Sequence, residues 1–323
     1  MKKLIFFLTF TLTITLFSHS GNTAPVTDGL VSYWTFDQQD IIDGTARDVW
    51  GKNDGIIVGD PKLVAGRVNT ALEFDGSDDY VNLTNLGDFG SQVGTSTFEA
   101  WIKTSFKENR WTTLFKVRDV GFAGRDPEVI KIMDPNCGMG WGIDLNGWAK
   151  PAIFTKLGLK PDSFVEHPPL NNDDEISFDK DMVRTYLTHK LRAHRCWTST
   201  AGWRFPISDG EWHHLVYING VPYVDENGHE WWQRAIFIDG KQEWRSRHRW
   251  EPGDFIPFIE PVYLGAGNNR GEAEAFFKGI IDEVRIYNRP LTTEEVTQNF
   301  EIGLSVEAAE KLPVVWGALK TAQ

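Results

Sequence analysis

Apolar and polar residues alternate in short runs along most of this chain, with turn residues in the gaps. Val31 to Phe36 reads as a strand. Ile56-Ile57-Val58 leaves the turn cluster Asp48 to Gly55, where Asn and Gly supply positive φ. Ala71 to Phe74 and Tyr80 to Leu83 flank a tight turn at Gly76. Phe98 to Thr104 sorts into two faces, with Phe98, Ala100 and Ile102 on one and Glu99, Trp101 and Lys103 on the other. Trp212 to Ile218, Ala235 to Ile238, Val262 to Leu264 and Gly279 to Tyr287 continue the series. Helical spacing emerges only near the end. Pro290 stops the last strand, Thr292 and Glu295 form a capping box, and Val296 and Phe300 follow one turn apart. The pattern predicts an all-β fold, a two-sheet antiparallel sandwich closed by a short C-terminal helix over 292–300.

The N-terminus changes the picture first. Lys2 and Lys3 precede the apolar run Leu4 to Phe17, and small or polar residues follow up to Ala24. That is the layout of a secretory signal peptide over 1–24. No later stretch reaches the length of a membrane span, so a secreted or extracytoplasmic product without one is expected. Removing Lys2 and Lys3 takes the formal charge from -12 to -14. Such an acidic surface disfavours nucleic acid and suits divalent cations and neutral ligands. The two cysteines, Cys137 and Cys196, are expected to form a disulfide in an oxidising compartment, the alternative being two buried thiols.

Four segments, in order, resemble the LamG-like jelly-roll family, the concanavalin A-like sandwiches. They are Gly29 to Asp37, Ala71 to Val81, Glu211 to Val216 with its Trp-His-His, and Gly279 to Leu291. The resemblance spans 29–117 and 207–300 and lapses over a large mid-chain insertion, 118–206, which holds both cysteines. It implies one jelly-roll domain over 25–302 and a C-terminal tail over 303–323. A second, smaller insertion is expected at Pro222 to Arg234. In this family the terminal strands neighbour each other and often hold a structural calcium. Carried over by motif, its ligands are Asp37 and Asp282, with Asp75 in the Phe74-Asp75-Gly76 turn supplying a carbonyl. The competing reading has Asp75 capping a turn and Asp282 paired with an arginine.

Tryptophan is over-represented, with 14 residues. Trp231 and Trp232 lie near Arg245 and Arg247 in sequence, a mixture of flat rings and hydrogen-bonding groups that fits a saccharide site. The same composition fits a strand pair under a loop with arginines reaching to solvent. Hydrolysis of a glycosidic bond needs two carboxylates flanking it. The resemblance implies a Glu-x-Asp-x-Glu strand for such enzymes, and the chain has none. His213 and His214 point to opposite sides of a strand and make no zinc pair. No Gly-x-Ser-x-Gly, His-Glu-x-x-His or P-loop motif occurs. These observations favour a binding module for an extracellular carbohydrate or glycoprotein. A secreted polysaccharide-acting enzyme and a protein–protein adhesion module are the alternatives.

Overall fold

The computed structural model describes residues 24–83, 86, 95–106, 112–117, 141–145, 182–190, 196–204, 207–248, 261–269 and 271–303. In chain order come β1 (Leu30–Trp34), a 3-10 turn at Gln38–Asp40, β2 (Ile41–Ile42), β3 (Thr45–Ala46) and β4 (Gly55–Val58). Then follow β5 (Lys62–Ala65), β6 (Thr70–Asp75), β7 (Tyr80–Leu83), β8 (Ser96–Lys103), β9 (Thr112–Val117) and β10 (Trp141–Leu145). Next are β11 (Met182–Lys190), β12 (Cys196–Arg204), β13 (Trp212–Val224), β14 (Glu230–Ile238) and β15 (Lys241–His248). The series closes with β16 (Val262–Leu264), β17 (Gly267–Asn269), β18 (Glu272–Glu274), β19 (Lys278–Tyr287) and a helix, α1, at residues 293–303.

Two antiparallel sheets carry the fold. The first has the order β15-β14-β13-β8-β19-β6-β5, with β1 also paired to β19. The second runs β12-β11-β10-β9-β16-β7-β4-β3-β2. Alternation along the strands puts Leu72, Phe74, Phe98, Ala100, Ile102, Leu215, Ile236 and Ile281 of the first sheet against Val81, Leu83, Phe115, Ile143, Val262 and Leu264 of the second. The rings of Phe98 and Phe115 meet at 4.7 Å between the sheets. This is the expected two-sheet antiparallel jelly-roll sandwich with its short helix.

The first sheet has no bare back over its middle. Val216, Ile218, Ala235, Phe237 and Tyr287 form a second apolar cluster there with Val26, Leu291 and Val296. The segment before β1 and the helix α1 therefore cover the outer face. The capping box that starts α1 is made: Thr292 N–H donates to Glu295 Oε2 at 2.8 Å, and Glu295 N–H to Thr292 Oγ1 at 3.3 Å. Arg289 holds the same carboxylate with both Nη groups, at 2.8 and 2.7 Å.

Two stretches differ from the sequence expectation. The expected insertion at Pro222 to Arg234 is the outer half of one long hairpin, since β13 runs on to Val224 and β14 begins at Glu230. A bulge between Asn219 and Val221, with Gly220 at φ 85, lets the ribbon continue. The described parts of 118–206 are also strands, for β10, β11 and β12 extend the second sheet outward from β9.

Candidate functional site: a charged cleft at one end of the first sheet

The closing segment of the sequence is built into a buried polar cluster. β19 bulges between Asp282 and Arg285, and Glu283 takes the left-handed conformation at φ 52. The bulge turns both Glu283 and Arg285 toward the covered face. Arg285 donates to Glu99 Oε1 at 2.9 Å and to Glu283 Oε2 at 2.5 Å, and its guanidinium lies 4.2 Å over the ring of Tyr33. The Tyr33 hydroxyl donates to Glu283 as well. Asn299 of α1 donates to both oxygens of Glu99, at 3.0 and 2.9 Å, and accepts the Val26 N–H at 2.9 Å. Burial raises the carboxyl pKa of Glu283 above the usual range, against the pull of Arg285. His214 beneath the helix packs against Trp101 and Phe300, and burial pulls its imidazole down to about 4. With every charge enclosed, this cluster fastens the helix and the first strand to the sheet.

Where the cover stops, the same outer face opens into a cleft of about 860 Å³. Its floor is set by register. Lys62 of β5, Glu73 of β6, Ile280 of β19 and Lys103 of β8 form one cross-strand row. Asp75 and Lys278 form the next. Thr104, Ser105, Phe106 and Gly210 make one wall, and Asp60, Asp78 and Asp79 another. The first wall is tied down by Thr104, whose hydroxyl donates to the Lys278 carbonyl at 2.7 Å and whose carbonyl accepts the Gly210 N–H at 3.0 Å. The second is organised by the buried Asp79, which accepts N–H groups from Asp60 at 2.8 Å and Asp75 at 2.9 Å. Gly59 is required beside it, because a Cβ there would lie 2.4 Å from Asp79 Oδ1.

One end of the cleft gathers Asp75, Asp78 and Asp79, with a carboxylate oxygen of each within 4.8 Å of the others. Among the described residues, none of Lys62, Lys103 and Lys278 pairs with a carboxylate, so three ammonium groups keep free hydrogen-bonding capacity. Unpaired ammonium groups beside carboxylates and the Ser105 hydroxyl are suited to a polar ligand rich in hydroxyls.

The sequence-predicted residues fall in separate places. Asp37 and Asp282 both reach the turn between β5 and β6. Asp282 accepts the N–H groups of Arg67, Val68 and Glu283 at 2.7, 3.0 and 2.8 Å. Asp37 accepts Thr70 N–H at 3.2 Å and the side-chain amides of Asn69 and Gln39 at 2.9 and 3.0 Å. Each carboxylate is thus occupied by hydrogen-bond donors of the turn or its neighbours. Asp282 is also buried, which raises its pKa well above the carboxylate range. Asp75 stands at the other end of β6, opposite Lys278 and four residues from Asp282 along β19, roughly 13 Å away. The calcium set is therefore not brought together, although Asp75 joins the acidic group of the cleft.

Trp231 is buried, at 4%, and its indole N–H donates to Asp225 Oδ2 at 2.8 Å. Trp232 is half-buried. Alternation along β14 puts Trp232 on the face of Ile236 and Ile238, whereas the exposed Arg245 sits opposite Ala235 on the other face. Arg247 pairs with Gln233 in register, and its side chain lies outside the described residues. Trp232 and Arg245 are not brought to one site. Cys137 and the side chain of Cys196 also lie outside the described residues, as do 1–23 and most of the tail. The lysines of the cleft carried no motif. Their only trace in the sequence was the placement of Lys103 with Glu99 on the outer face of its strand.

Two facing antiparallel sheets, neighbouring first and last strands and a closing helix define a concanavalin A-like jelly roll. Residues 170–297 match the family model of the concanavalin A-like lectin/glucanases superfamily, extending the resemblance into the second half of the insertion. Among solved structures, the chain is similar to the receptor binding domain of botulinum neurotoxin C/D mosaic serotype, at 12% identity and a TM-score of 0.50 over 85% of this chain and 51% of that one. The binding domain of botulinum neurotoxin DC in complex with SialylT matches at 10% identity and 0.50, over 85% and 52%. Domain 4 of an extracellular arabinanase from Geobacillus stearothermophilus, in complex with arabinotriose, matches at 18% and 0.43, over 84% and 97%. The chain spans about half the length of the two toxin domains. At such identities the likeness is one of fold. Curated proteins gave no match. Among the described residues, no helix is long and apolar enough to cross a membrane.

Proposed function

We propose that this chain is a secreted carbohydrate-binding module of LamG-like type and that the charged cleft receives an extracellular glycan. The observation that carries this reading is the lining of the cleft, where Lys62, Lys103 and Lys278 stand unpaired beside Glu73, Asp75 and the hydroxyl of Ser105. A fold shared with a toxin domain solved in complex with SialylT supports it. The chain is exported by residues 1–24 and carries a Cys137–Cys196 disulfide, to be read by N-terminal sequencing of the secreted product and by non-reducing peptide mapping.

The test is binding on a glycan array with turnover assays on the same polysaccharides. Lys103→Ala is expected to weaken retention of the bound glycan about tenfold, the loss of a charged hydrogen bond of about 1.5 kcal/mol. Melting should be nearly unchanged. Retention indifferent to Lys103→Ala and Lys278→Ala would remove the cleft from the reading. Glu73 and Asp75, two residues apart on one strand and both lining the cleft, favour glycan hydrolysis as the second reading. Turnover abolished by Glu73→Gln would establish it.

We also assign calcium to this cleft, at Asp75, Asp78 and Asp79, in place of Asp37 and Asp282. Saturating calcium should raise the melting temperature by about 5 °C at a hundredfold excess over Kd. Asp78→Asn should abolish that rise while leaving the chelated protein's melting point unchanged, because Asp78 is exposed. A melting curve indifferent to calcium and chelator ends the assignment.

A further inference from the structure

The turn between β3 and β4 is fixed from within by one buried carboxylate. Asp48 Oδ1 accepts the N–H groups of Tyr33, Trp50 and Gly51 at 2.9, 3.1 and 2.8 Å, and Oδ2 accepts that of Asn53 at 3.1 Å. Asp48 N–H donates to Asp54 Oδ1 at 2.8 Å, and Val49 N–H to the Tyr33 carbonyl at 2.9 Å. Gly51 is needed where it stands, since a Cβ would meet the Val31 carbonyl at 2.4 Å. The side chain of Trp50 is fixed too, its indole N–H donating to the Leu30 carbonyl at 2.9 Å.

This scaffold holds the ring out in water. Trp50 is 51% exposed and Val49 beside it 44%, whereas Trp34, Trp101 and Trp231 are buried. Its single polar atom is spent on Leu30, so what Trp50 shows to solvent is ring carbon. An unconstrained indole would fold back onto the surface, because apolar area favours burial. Lys52 and Asp54, both exposed, follow it two and four residues on in the same turn, and among the described residues Lys52 makes no ion pair. Two apolar side chains are far too little for a protein interface, which takes about 800 Å² from each partner. A flat ring in a turn that also carries an exposed donor and acceptor matches a sugar, which presents a C–H face ringed by hydroxyls.

We propose that Trp50 is a stacking platform for one ring of an extracellular glycan, with Lys52 and Asp54 taking its hydroxyls. The proposal rests on the carbohydrate reading above but stands at a different place. Leu30, which holds the indole, pairs with Tyr287, while the cleft takes Lys278, at the opposite end of a strand roughly 30 Å long.

The test uses the whole mature chain against immobilised arabinan, xylan, β-glucan, galactan and sialyl-lactose oligosaccharides. Trp50→Ala is expected to weaken retention of the bound oligosaccharide about tenfold and Trp50→Phe about threefold. Both variants should melt within a few degrees of the parent, because the ring supports no core. Retention unaffected by Trp50→Ala but lost in Lys103→Ala overturns the platform and leaves the cleft standing. Retention lost in Trp50→Ala and untouched in Lys103→Ala upholds the platform and removes the cleft. A parent chain that retains none of the five overturns both.

Discussion

Asp48 and Asp225 organise two turns in the same way and send their tryptophans to opposite fates. Each gathers nearby N–H groups on its carboxylate. Asp225 takes those of Asn227 and His229, at 3.0 and 2.9 Å, together with the indole of Trp231. A sequence shows an aspartate two or six residues from a tryptophan in either case, but not which side of the backbone the ring takes. Exposure of an aromatic ring depends on distant covering elements, and these are invisible in a local pattern. His213 offers a sharper test at this scale. Its Nδ1 meets Asp239 Oδ2 at 2.8 Å and its Nε2 meets Asp209 Oδ1 at 3.1 Å. Only the imidazolium satisfies both, and the hydrogen bond to Asp239 leads in raising its pKa. A raised histidine pKa contributes stability that is complete below about pH 6.5, the unfolded value, and is lost as pH rises through the folded value. The stability gap between the parent and His213→Gln should therefore be about 1 kcal/mol at pH 6 and shrink toward pH 9. A gap constant over that range, measured by urea titration, would show that the imidazole is neutral throughout.

Among the elements, the strands that alternate cleanly were legible because one face of each meets the main core. Phe98, Ala100 and Ile102 do so as their spacing predicts. The opposite face is not legible in the same way, since alternation does not say that α1 and the segment around Val26 bury Glu99 and Trp101. Strand β15 was missed although Asp239-Gly240, at φ 52 and 75, is a tight hairpin turn of the kind that joins two strands. The bulge at Glu283 was also beyond reading, for it needs the partner strand to define it. A consequence follows for the covered face. Glu99→Ala leaves the Arg285 guanidinium buried and half-paired, and should destabilise by about 3–5 kcal/mol with an unchanged denaturant slope. A loss below 1 kcal/mol would mean that water reaches Arg285 and that α1 is only loosely seated.

At the scale of the whole molecule, the fold was visible in four motifs because they lie on β1, β6 and β7, β13 and β19, whose alternating apolar residues build the core. The cleft was not. Its lining comes from β5, β6, β8 and β19 and from loops far apart in sequence, and only the register brings Lys62, Glu73 and Lys103 into one row. The fastening of the chain's two ends has a mechanical side. Gln298 of α1 holds the Ala24 carbonyl at 2.8 Å, and β1 begins at Leu30 opposite Tyr287, where β19 ends, so the first and last strands join the rest of the chain at the same end of the sheet. Tension applied between them loads β1 and β19 as a zipper, rupturing one bond pair at a time, rather than in shear across the whole strand. Under pull the domain is expected to give way first at Asn299 and Leu30, before the charged cleft at the other end of β19 is disturbed.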